Sequence, residues 1–456
     1  MARSLHITAI GPLVVRAPGP QDRGVTRIEQ PSPTTPGVPV TRGPRVHPAW
    51  WVALVAFLVL VGAAGFRSTT GVLIDPLHEE FGWSRGSISF AVSVNLLLYG
   101  FTAPFATALM ERYGIRRVVC GALLMISAGS GLTVWMDSQW QLVLCWGVLV
   151  GLGAGSMALA FSATIAGRWF VARRGLVTGV LTAGGAAGNL VFLPVVGLLV
   201  EGPGWRAAAV AVALCALAVV PLVVWLLRDH PEDLGVRPFG AGDDYVTPPR
   251  PPAGAARRAV GALGSAMRTR VFWLLAASFA ICGASTNGLI GTHFVPGAHE
   301  HGMPVPVAAS LLALIGIFDL IGTVFSGWLT DRYDARRLLA VYYALRGLSL
   351  LFLPALFEAS VQPPMLFFVV FYGLDWVATV PPTIALCREH FGAEAGVVFG
   401  WVLASHQLGA AVVAFGAGLV RDVTGSYDLA WTSAGMLCAV AAVLVMLVSR
   451  RAVLVA

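Results

Sequence analysis

The chain has 456 residues, of which 57% are hydrophobic and only 12% are charged, and its formal net charge is +7 at pH 7. A composition this apolar excludes a water-soluble globule and predicts a membrane protein. All thirty basic residues are arginines, and their placement between apolar runs decides what the positive charge means. That placement gives no indication of nucleic-acid binding, and we expect no nucleic-acid partner.

Apolar runs of about 20 residues predict membrane-spanning helices, because that length crosses the hydrocarbon core of a bilayer. Twelve such runs occur. In chain order, spans 1 to 12 are predicted at 50–75, 86–109, 117–136, 140–166, 176–200, 206–227, 272–296, 308–329, 338–356, 364–386, 396–419 and 430–448. The sequence therefore predicts an all-α integral membrane protein.

The regions between and around the spans suggest how the chain is divided. Residues 1–47 hold no apolar run long enough for a signal peptide and are interpreted as a disordered cytoplasmic tail. Residues 48–227 and 271–449 are predicted to form two six-helix halves. The polar, proline-rich stretch 228–270 is interpreted as a cytoplasmic linker, and residues 450–456 as a short cytoplasmic tail.

The arginines are distributed unequally between the two sides of the predicted helices. Twenty-five lie in the tails and in loops on the side of both termini, whereas three, Arg85, Arg206 and Arg421, lie on the opposite side. By the positive-inside rule, both termini and the linker are predicted to be cytoplasmic in a multi-pass protein of the plasma membrane. Arg67 and Arg346 remain within the predicted spans.

A charged turn occurs twice, after span 2 and after span 8, with an offset of 220 residues. Each copy has an acid, an arginine directly after it and a pair of arginines further on. The residues are Glu111, Arg112, Arg116 and Arg117 in the first copy and Asp331, Arg332, Arg336 and Arg337 in the second. Such a repeat predicts two six-helix pseudo-repeats of one architecture.

With these two halves and repeated turns, the chain resembles the major facilitator superfamily. It is similar to the monocarboxylate-transporter branch, whose bacterial relatives include oxalate–formate exchangers, because the stretch that enters span 5 resembles that branch's signature. The matching residues are Trp169, Phe170, Arg173, Arg174, Leu176, Gly179, Ala183, Gly184 and Gly188. The resemblance implies the major facilitator fold, alternating access, and a cytoplasmic latch in which the two charged turns close the outward-facing state.

Charged side chains within spans are candidate site residues, since an ionised group at a helix centre costs roughly 2.5–3.5 kcal/mol on insertion scales. Arg67 in span 1 aligns with a basic residue of the resembling branch and is predicted to anchor an anionic substrate. Counting about 1.5 Å per residue, Arg67 lies about 12 Å inward from Asp75, and Asp319 about 18 Å inward from Asp331 on the other side. The alternative for Arg67 is a side chain that snorkels to the surface.

Asp319 in span 8 is the predicted proton carrier, because a buried carboxylate whose surroundings change when substrate arrives can bind and release a proton. The alternative is a static ion pair with Arg67 or Arg346, and for Arg346 in span 9 a structural role is favoured. Four residues after this aspartate the branch carries an arginine that contacts the substrate carboxylate. Here that position is Thr323, which we therefore place in the substrate site.

Two further residues complete the predicted site. Asp375, in span 10, is a second candidate for proton coupling or substrate contact, because spans 1, 4, 7 and 10 line the cavity in the resembling fold. His406, in span 11, is a candidate substrate contact that could titrate near neutrality. The alternative for His406 is a core histidine held by a hydrogen bond.

These observations predict a secondary active transporter that moves a small organic anion, a monocarboxylate, together with protons. An exchanger or exporter of another small metabolite is the alternative within this class, and Thr323 keeps it open. A membrane receptor that binds without transporting is the alternative from another class. No enzymatic activity is expected, because no span shows a metal cluster, a nucleophile elbow or a phosphate loop. We expect no cofactor and no metal, and a monomer in the lipid bilayer.

Overall fold

The computed structural model describes residues 46–157, 159–242, 245 and 254–449, without the side chains of residues 66–68, 159, 160, 186, 255 and 393. Twelve helices in this part are long and apolar enough to cross a membrane, which confirms the predicted fold class. Spans 1 to 12 are Pro48–Val72, Arg85–Tyr113, Ile115–Trp135, Gln139–Trp169, Arg174–Glu201, Trp205–Leu226, Arg270–Glu300, Val305–Thr330, Ala335–Leu356, Pro363–Phe391, Ala395–Thr424 and Asp428–Met446. The predicted tails, apart from a few residues next to spans 1 and 12, lie outside the described residues.

Consecutive spans run in opposite directions, so the turns fall at two ends of the bundle. We call the end that carries residues 73–84, 202–204, 301–304 and 425–427 the distal end, and the opposite end, where the linker lies, the proximal end. At the distal end a short helix, Ile74–Phe81, precedes span 2. Span 2 begins with a helix cap, because the Ser84 side chain accepts a hydrogen bond from the amide of Ser87.

Glycines in span 4 allow that helix to pack tightly against span 2. At Gly151 a Cβ atom would stand 3.0 Å from the backbone oxygen of Asn95, and at Gly155 it would stand 2.9 Å from the backbone oxygen of Tyr99. Small residues four positions apart let two helix backbones approach closely in lipid, where no hydrophobic force drives helices together. The small residues of span 4 are thus explained by helix packing.

Spans 4, 7 and 10 contain irregular backbone away from their ends. Span 4 includes a π-helical segment, Val143–Val150, and span 7 includes another, Ala284–Ile290. The helix of span 10 ends at Asp375 and resumes at Val380. Irregular turns inside membrane helices are frequent at functional sites, because they free backbone groups that polar side chains or ligands can bind.

Part of the linker folds against the proximal end. A helix, Ala255–Ala266, follows the undescribed residues of the linker, and its Ala259 carbonyl oxygen accepts a hydrogen bond from the Trp401 indole at 2.8 Å. Earlier in the linker, the amide of Phe239 donates to the carbonyl oxygen of Trp169 at 2.8 Å. The described parts of the linker therefore contact the bundle directly.

Candidate functional site

The interruption of span 10 lies halfway along that span, over residues 376–379. Pro381 and Pro382 follow it, and neither has the amide hydrogen that would bond the carbonyl four residues earlier. Backbone groups freed at membrane depth must find partners inside the protein, because lipid offers none. The side chains that bind these groups therefore mark a polar site in the middle of the bundle.

Arg346 of span 9 is fully buried and lies behind the interruption. Its Nε donates to Asp375 Oδ2 at 2.5 Å, and its Nη2 donates to the backbone oxygens of Asp375 and Trp376 at 2.6 and 3.2 Å. Its Nη1 contacts the sulfur of Cys282 at 2.9 Å. Each guanidinium nitrogen therefore has a protein partner, as a buried arginine requires.

Two side chains of span 8 bind the other groups of the interruption. Asp319 accepts hydrogen bonds through Oδ1 from the amide of Val377 at 3.0 Å and from the hydroxyl of Thr323 at 3.1 Å. One turn beyond Thr323, Ser326 Oγ donates to the carbonyl oxygen of Ala378 at 2.5 Å. Asp319 and Thr323 are thus neighbours, and the Thr323 hydroxyl proton is used within the protein.

Asp375 combines a strong ion pair with an unsatisfied atom. Its Oδ2 is held by Arg346, whereas its Oδ1 is buried and has no hydrogen-bond partner in the described structure. Most buried polar atoms in proteins are hydrogen-bonded, so an exception calls for an explanation. A ligand that donates a hydrogen bond to this oxygen in another state of the protein would supply the missing interaction, and protonation would remove the negative charge of the carboxylate.

Spans 7 and 11 extend the polar region. The Tyr372 hydroxyl donates to the carbonyl oxygen of Ser285, in the π-helical segment of span 7, at 2.8 Å. In the same segment, the Thr286 hydroxyl lies 3.5 Å from Nε2 of His406, a weak contact at that distance. The His406 ring also packs on Phe279, with 4.9 Å between ring centroids. His406 therefore lies at the edge of the region.

The structure brings most of the predicted site residues together. Asp319, Thr323, Asp375 and His406 lie around the irregular segments of spans 7 and 10. The side chain of Arg67 is outside the described residues, but its backbone is helical. One turn further along span 1, a Cβ at Gly71 would stand 2.8 Å from the backbone oxygen of Thr292 in span 7. Because both spans run in the same direction, the backbone of Arg67 is about level with the π-helical segment.

Sequence reasoning did not identify every polar residue of this region. Ser326 and Cys282 were not predicted, although both contact the interruption or Arg346. The detectable signal was the pair Pro381 and Pro382, which removes two adjacent hydrogen-bond donors from a membrane helix.

The charged turns, predicted to form a latch, lie at the proximal end. Within the residues that the structure describes, neither Glu111 nor Asp331 forms an ion pair. Arg332 bonds the carbonyl oxygen of Trp328 and lies over its ring at 4.1 Å, and Arg112 lies near the ring of Tyr113 at 5.3 Å. Arg117 and Arg337 have no side-chain partner among the hydrogen bonds and ion pairs of the described residues. The latch pairing therefore stays a prediction for the outward-facing state.

A carboxylate binds the first turn of span 3 and of span 9, by two different routes. Before span 9, Asp334 accepts from the amide of Arg336 at 3.0 Å and pairs with its guanidinium at 2.8 Å. The equivalent position before span 3 is Gly114, and there Asp229, three residues after the end of span 6, accepts from the amide of Arg116 at 2.9 Å. The hydrogen bonds from Arg336 lower the pKa of Asp334 from its ordinary 3.8 to about 2.

Asp334→Ala is expected to destabilise the protein by about 1 kcal/mol at pH 7, the usual effect of losing a helix cap. Because the folded-state pKa is lowered, the stabilisation by Asp334 is complete above pH 4 and is lost as the pH falls towards 2. Thermal unfolding in detergent at pH 7 and at pH 3 would measure this, with the exposed Glu79→Ala as control. A difference between variant and wild type that did not shrink at pH 3 would contradict the assignment.

At the distal end, charged residues join the two halves of the chain. Glu300, at the end of span 7, pairs with Arg421 of its own half and lies 4.0 Å from Arg85 of the first half. Asp422 accepts hydrogen bonds from the amides of Arg85 and Gly86, at 3.1 and 2.7 Å, at the start of span 2. We call Glu300, Arg85, Arg421 and Asp422 the distal cluster. It holds the start of span 2 against the ends of spans 7 and 11.

Glu300→Gln is expected to open the distal end more often, because it removes the charge shared by Arg85 and Arg421. A partly exposed ion pair contributes about 1 kcal/mol, which corresponds to roughly a fivefold change in population. A cysteine at the buried Ser89, which lies against Gly418 between the halves, would report it through its rate of labelling by a membrane-impermeant thiol reagent. Asp428→Asn, at an exposed acid of the same end, is the control, and equal rates in Glu300→Gln and wild type would refute the role.

Comparison with known proteins finds relatives that are all transporters. The sequence profile of the Major Facilitator Superfamily matches residues 52–414 and, in a second match, 286–454. An uncharacterized MFS-type transporter of Bacillus subtilis (strain 168), YcxA, is 25% identical over 388 residues, covering 83% of this chain and 90% of that protein. Monocarboxylate transporter 11 of Homo sapiens is 28% identical over 424 residues, covering 89% and 84%. Monocarboxylate transporter 13 of Rattus norvegicus is 27% identical over 396 residues, covering 85% of each chain.

Solved structures show the same fold. A D-xylose-proton symporter aligns with a TM-score of 0.69 over 89% of this chain and 98% of its own, at 14% identity. The inward-open conformation of the xylose transporter XylE from E. coli aligns with a TM-score of 0.67 over the same shares. At this identity the likeness concerns the fold and not the transported molecule.

Proposed function

Since the chain belongs to the Major Facilitator Superfamily and its relatives are transporters rather than enzymes, we propose that it carries a small organic monoanion across the plasma membrane together with a proton. The observation on which this proposal depends most is the interrupted span 10, with two carboxylates and one arginine around it. Ionisable groups at membrane depth are costly and are typical of substrate pathways and proton relays. The names of the mammalian relatives suggest monocarboxylates as the first compounds to test.

The charges around the interruption support a single negative charge on the substrate. Arg346 is enclosed and bonded by all three nitrogens, so its guanidinium offers nothing to a ligand. The charge of Asp375 is balanced by Arg346, whereas Asp319, when ionised, would repel an anion. Arg67 is then the remaining cation that we place in the site, and one cation balances one carboxylate.

Coupling to a proton follows from the same groups. When an anion enters beside Asp319, protonation of that carboxylate removes the repulsion, so anion and proton bind more favourably together than separately. The Thr323 hydroxyl donates a hydrogen bond to the Asp319 carboxylate. Because this position holds a threonine and not the arginine of the monocarboxylate-transporter branch, span 8 offers the substrate no second cation. Asp375, with one oxygen unpaired, is the second group that could bind the proton.

We assign the structure to a state closed at the distal end, where the distal cluster joins the two halves. With the distal end outside, as the arginine distribution predicts, substrate would enter or leave this state from the cytoplasm. The charged turns lie at the proximal end without the latch contacts, as an inward-facing state requires. Alternating access would then exchange the distal contacts for the latch.

Uptake into proteoliposomes under an inward proton gradient tests the proposed function. We expect accumulation of a monocarboxylate such as lactate, pyruvate or acetate, and at least tenfold weaker competition by oxalate or malonate, because a second carboxylate would lack a cation. Liposomes without protein, and gradients collapsed by a protonophore, are the controls. Equal uptake with and without the gradient would indicate transport that is not coupled to protons, uptake only into liposomes preloaded with substrate would indicate an exchanger, and binding without flux would indicate a receptor. A clear preference for dianions would contradict the charge argument.

A further inference from the structure

Arg346 connects two irregular segments of the bundle. On one side it bonds the backbone oxygens of Asp375 and Trp376, where the helix of span 10 ends. On the other side it contacts the sulfur of Cys282, two residues before the π-helical segment of span 7. Thr379, at the far end of the interruption, lies 3.3 Å from the same sulfur. The two segments are therefore held together around one guanidinium and one thiol.

Partly exposed side chains stand on these two segments. Trp376 and Val377 of span 10 and Asn287 of span 7 are half-buried. A Cβ at Gly291, one turn after Asn287, would stand 4.0 Å from the Trp376 ring. The distance between Asn287 on span 7 and the pair Trp376 and Val377 on span 10 thus depends on how firmly Arg346 and Cys282 hold the two segments together.

We propose that Arg346 is a positioning residue for the transported substrate. It fixes the interrupted segment of span 10 against the π-helical segment of span 7 and sets the spacing of the groups that stand on them, without touching the substrate itself. This inference rests on the proposed transport function. A planar guanidinium can serve a carboxylate, two carbonyl oxygens and a thiol at once, whereas a lysine offers its donors from a single atom.

Arg346→Lys tests the geometry separately from the charge, because lysine still neutralises Asp375. We expect the KM for the best monocarboxylate among lactate, pyruvate and acetate to rise at least tenfold, while the maximal rate per folded protein falls less than threefold. Arg268→Lys, at an exposed arginine of the linker, is the matched control and should keep the wild-type KM. An unchanged KM in folded Arg346→Lys would overturn the proposal.

A smaller change tests the same connection if Arg346→Lys does not fold. Cys282→Ala removes the sulfur between Arg346 and Thr379 and is expected to raise KM at least threefold. Cys387→Ala, at another buried cysteine of the second half, should leave KM unchanged. Equal KM values in the two alanine variants would overturn the proposal.

Amide hydrogen exchange provides a measurement that needs no transport. We expect the amides of residues 376–380 to exchange at least tenfold faster in Arg346→Lys, or threefold faster in Cys282→Ala, because the interrupted segment is less firmly held. Unchanged exchange would overturn the proposal. If the wild type carried no monocarboxylate while exchange rose as expected, the proposed function would fail and the structural connection would stand.

Discussion

Arg67→Gln is expected to lower monocarboxylate uptake about 30-fold or more while leaving the amount of folded protein unchanged. Removing one partner of a buried, hydrogen-bonded charge pair costs about 2–5 kcal/mol of binding, and 2 kcal/mol corresponds to that factor. Folding should be spared, because an uncharged side chain enters the membrane more cheaply than an arginine. Initial uptake rates in proteoliposomes, normalised to folded protein, would measure the effect.

Two further variants distinguish an Arg67 that anchors the anion from an Arg67 that snorkels to the surface. Arg67→Lys keeps the charge but loses the bidentate geometry, so uptake should persist with a raised KM. Arg257→Gln removes an exposed charge from the linker helix and should leave uptake within twofold of wild type. Normal uptake by Arg67→Gln would mean that this side chain snorkels to the surface, and that the anion is held by groups other than the ones proposed.

The twelve spans could be predicted from the sequence because each depends on a local property, the length of an apolar run. The same holds for the cap at Ser84, since the residues that cap a helix are its immediate neighbours. The two halves could be recognised from the repeated charged turns, because a repeat compares the chain only with itself. None of these steps requires knowing which helices touch.

The contacts that define the site could not be read in this way. The sequence left open whether Arg346 pairs with Asp319, and the structure pairs it with Asp375 instead. Asp319 bonds the amide of Val377, 58 positions further along the chain, in the segment where the helix of span 10 is interrupted before Pro381 and Pro382. Partner choice depends on which faces of distant helices meet, and composition and periodicity do not determine this.

Asp319→Asn is expected to abolish proton-driven accumulation and to retain counterflow, the exchange of labelled for unlabelled substrate at equal pH. Asparagine has nearly the same shape as aspartate, and its side-chain oxygen can still accept from the amide of Val377 and the hydroxyl of Thr323, the two bonds recorded at Oδ1. The interruption of span 10 should therefore stay in place. What is lost is the ability to bind and release a proton.

Comparing the two assays in the same vesicles separates a proton carrier from a structural acid. A carrier fixed in an uncharged form can still bind substrate and reorient when loaded, so counterflow should stay within about threefold of wild type while accumulation falls to background.

Asp319→Ala also removes the acceptor of the Val377 amide, whose unpaired burial costs about 1–3 kcal/mol, and should lower both activities and the thermal stability. Thr323→Val removes one hydrogen bond and keeps the titratable group, so its accumulation should survive. Equal loss of counterflow and accumulation in Asp319→Asn would show instead that the charge itself holds spans 8 and 10 together, and Asp375, with its unpaired Oδ1, would become the candidate proton carrier.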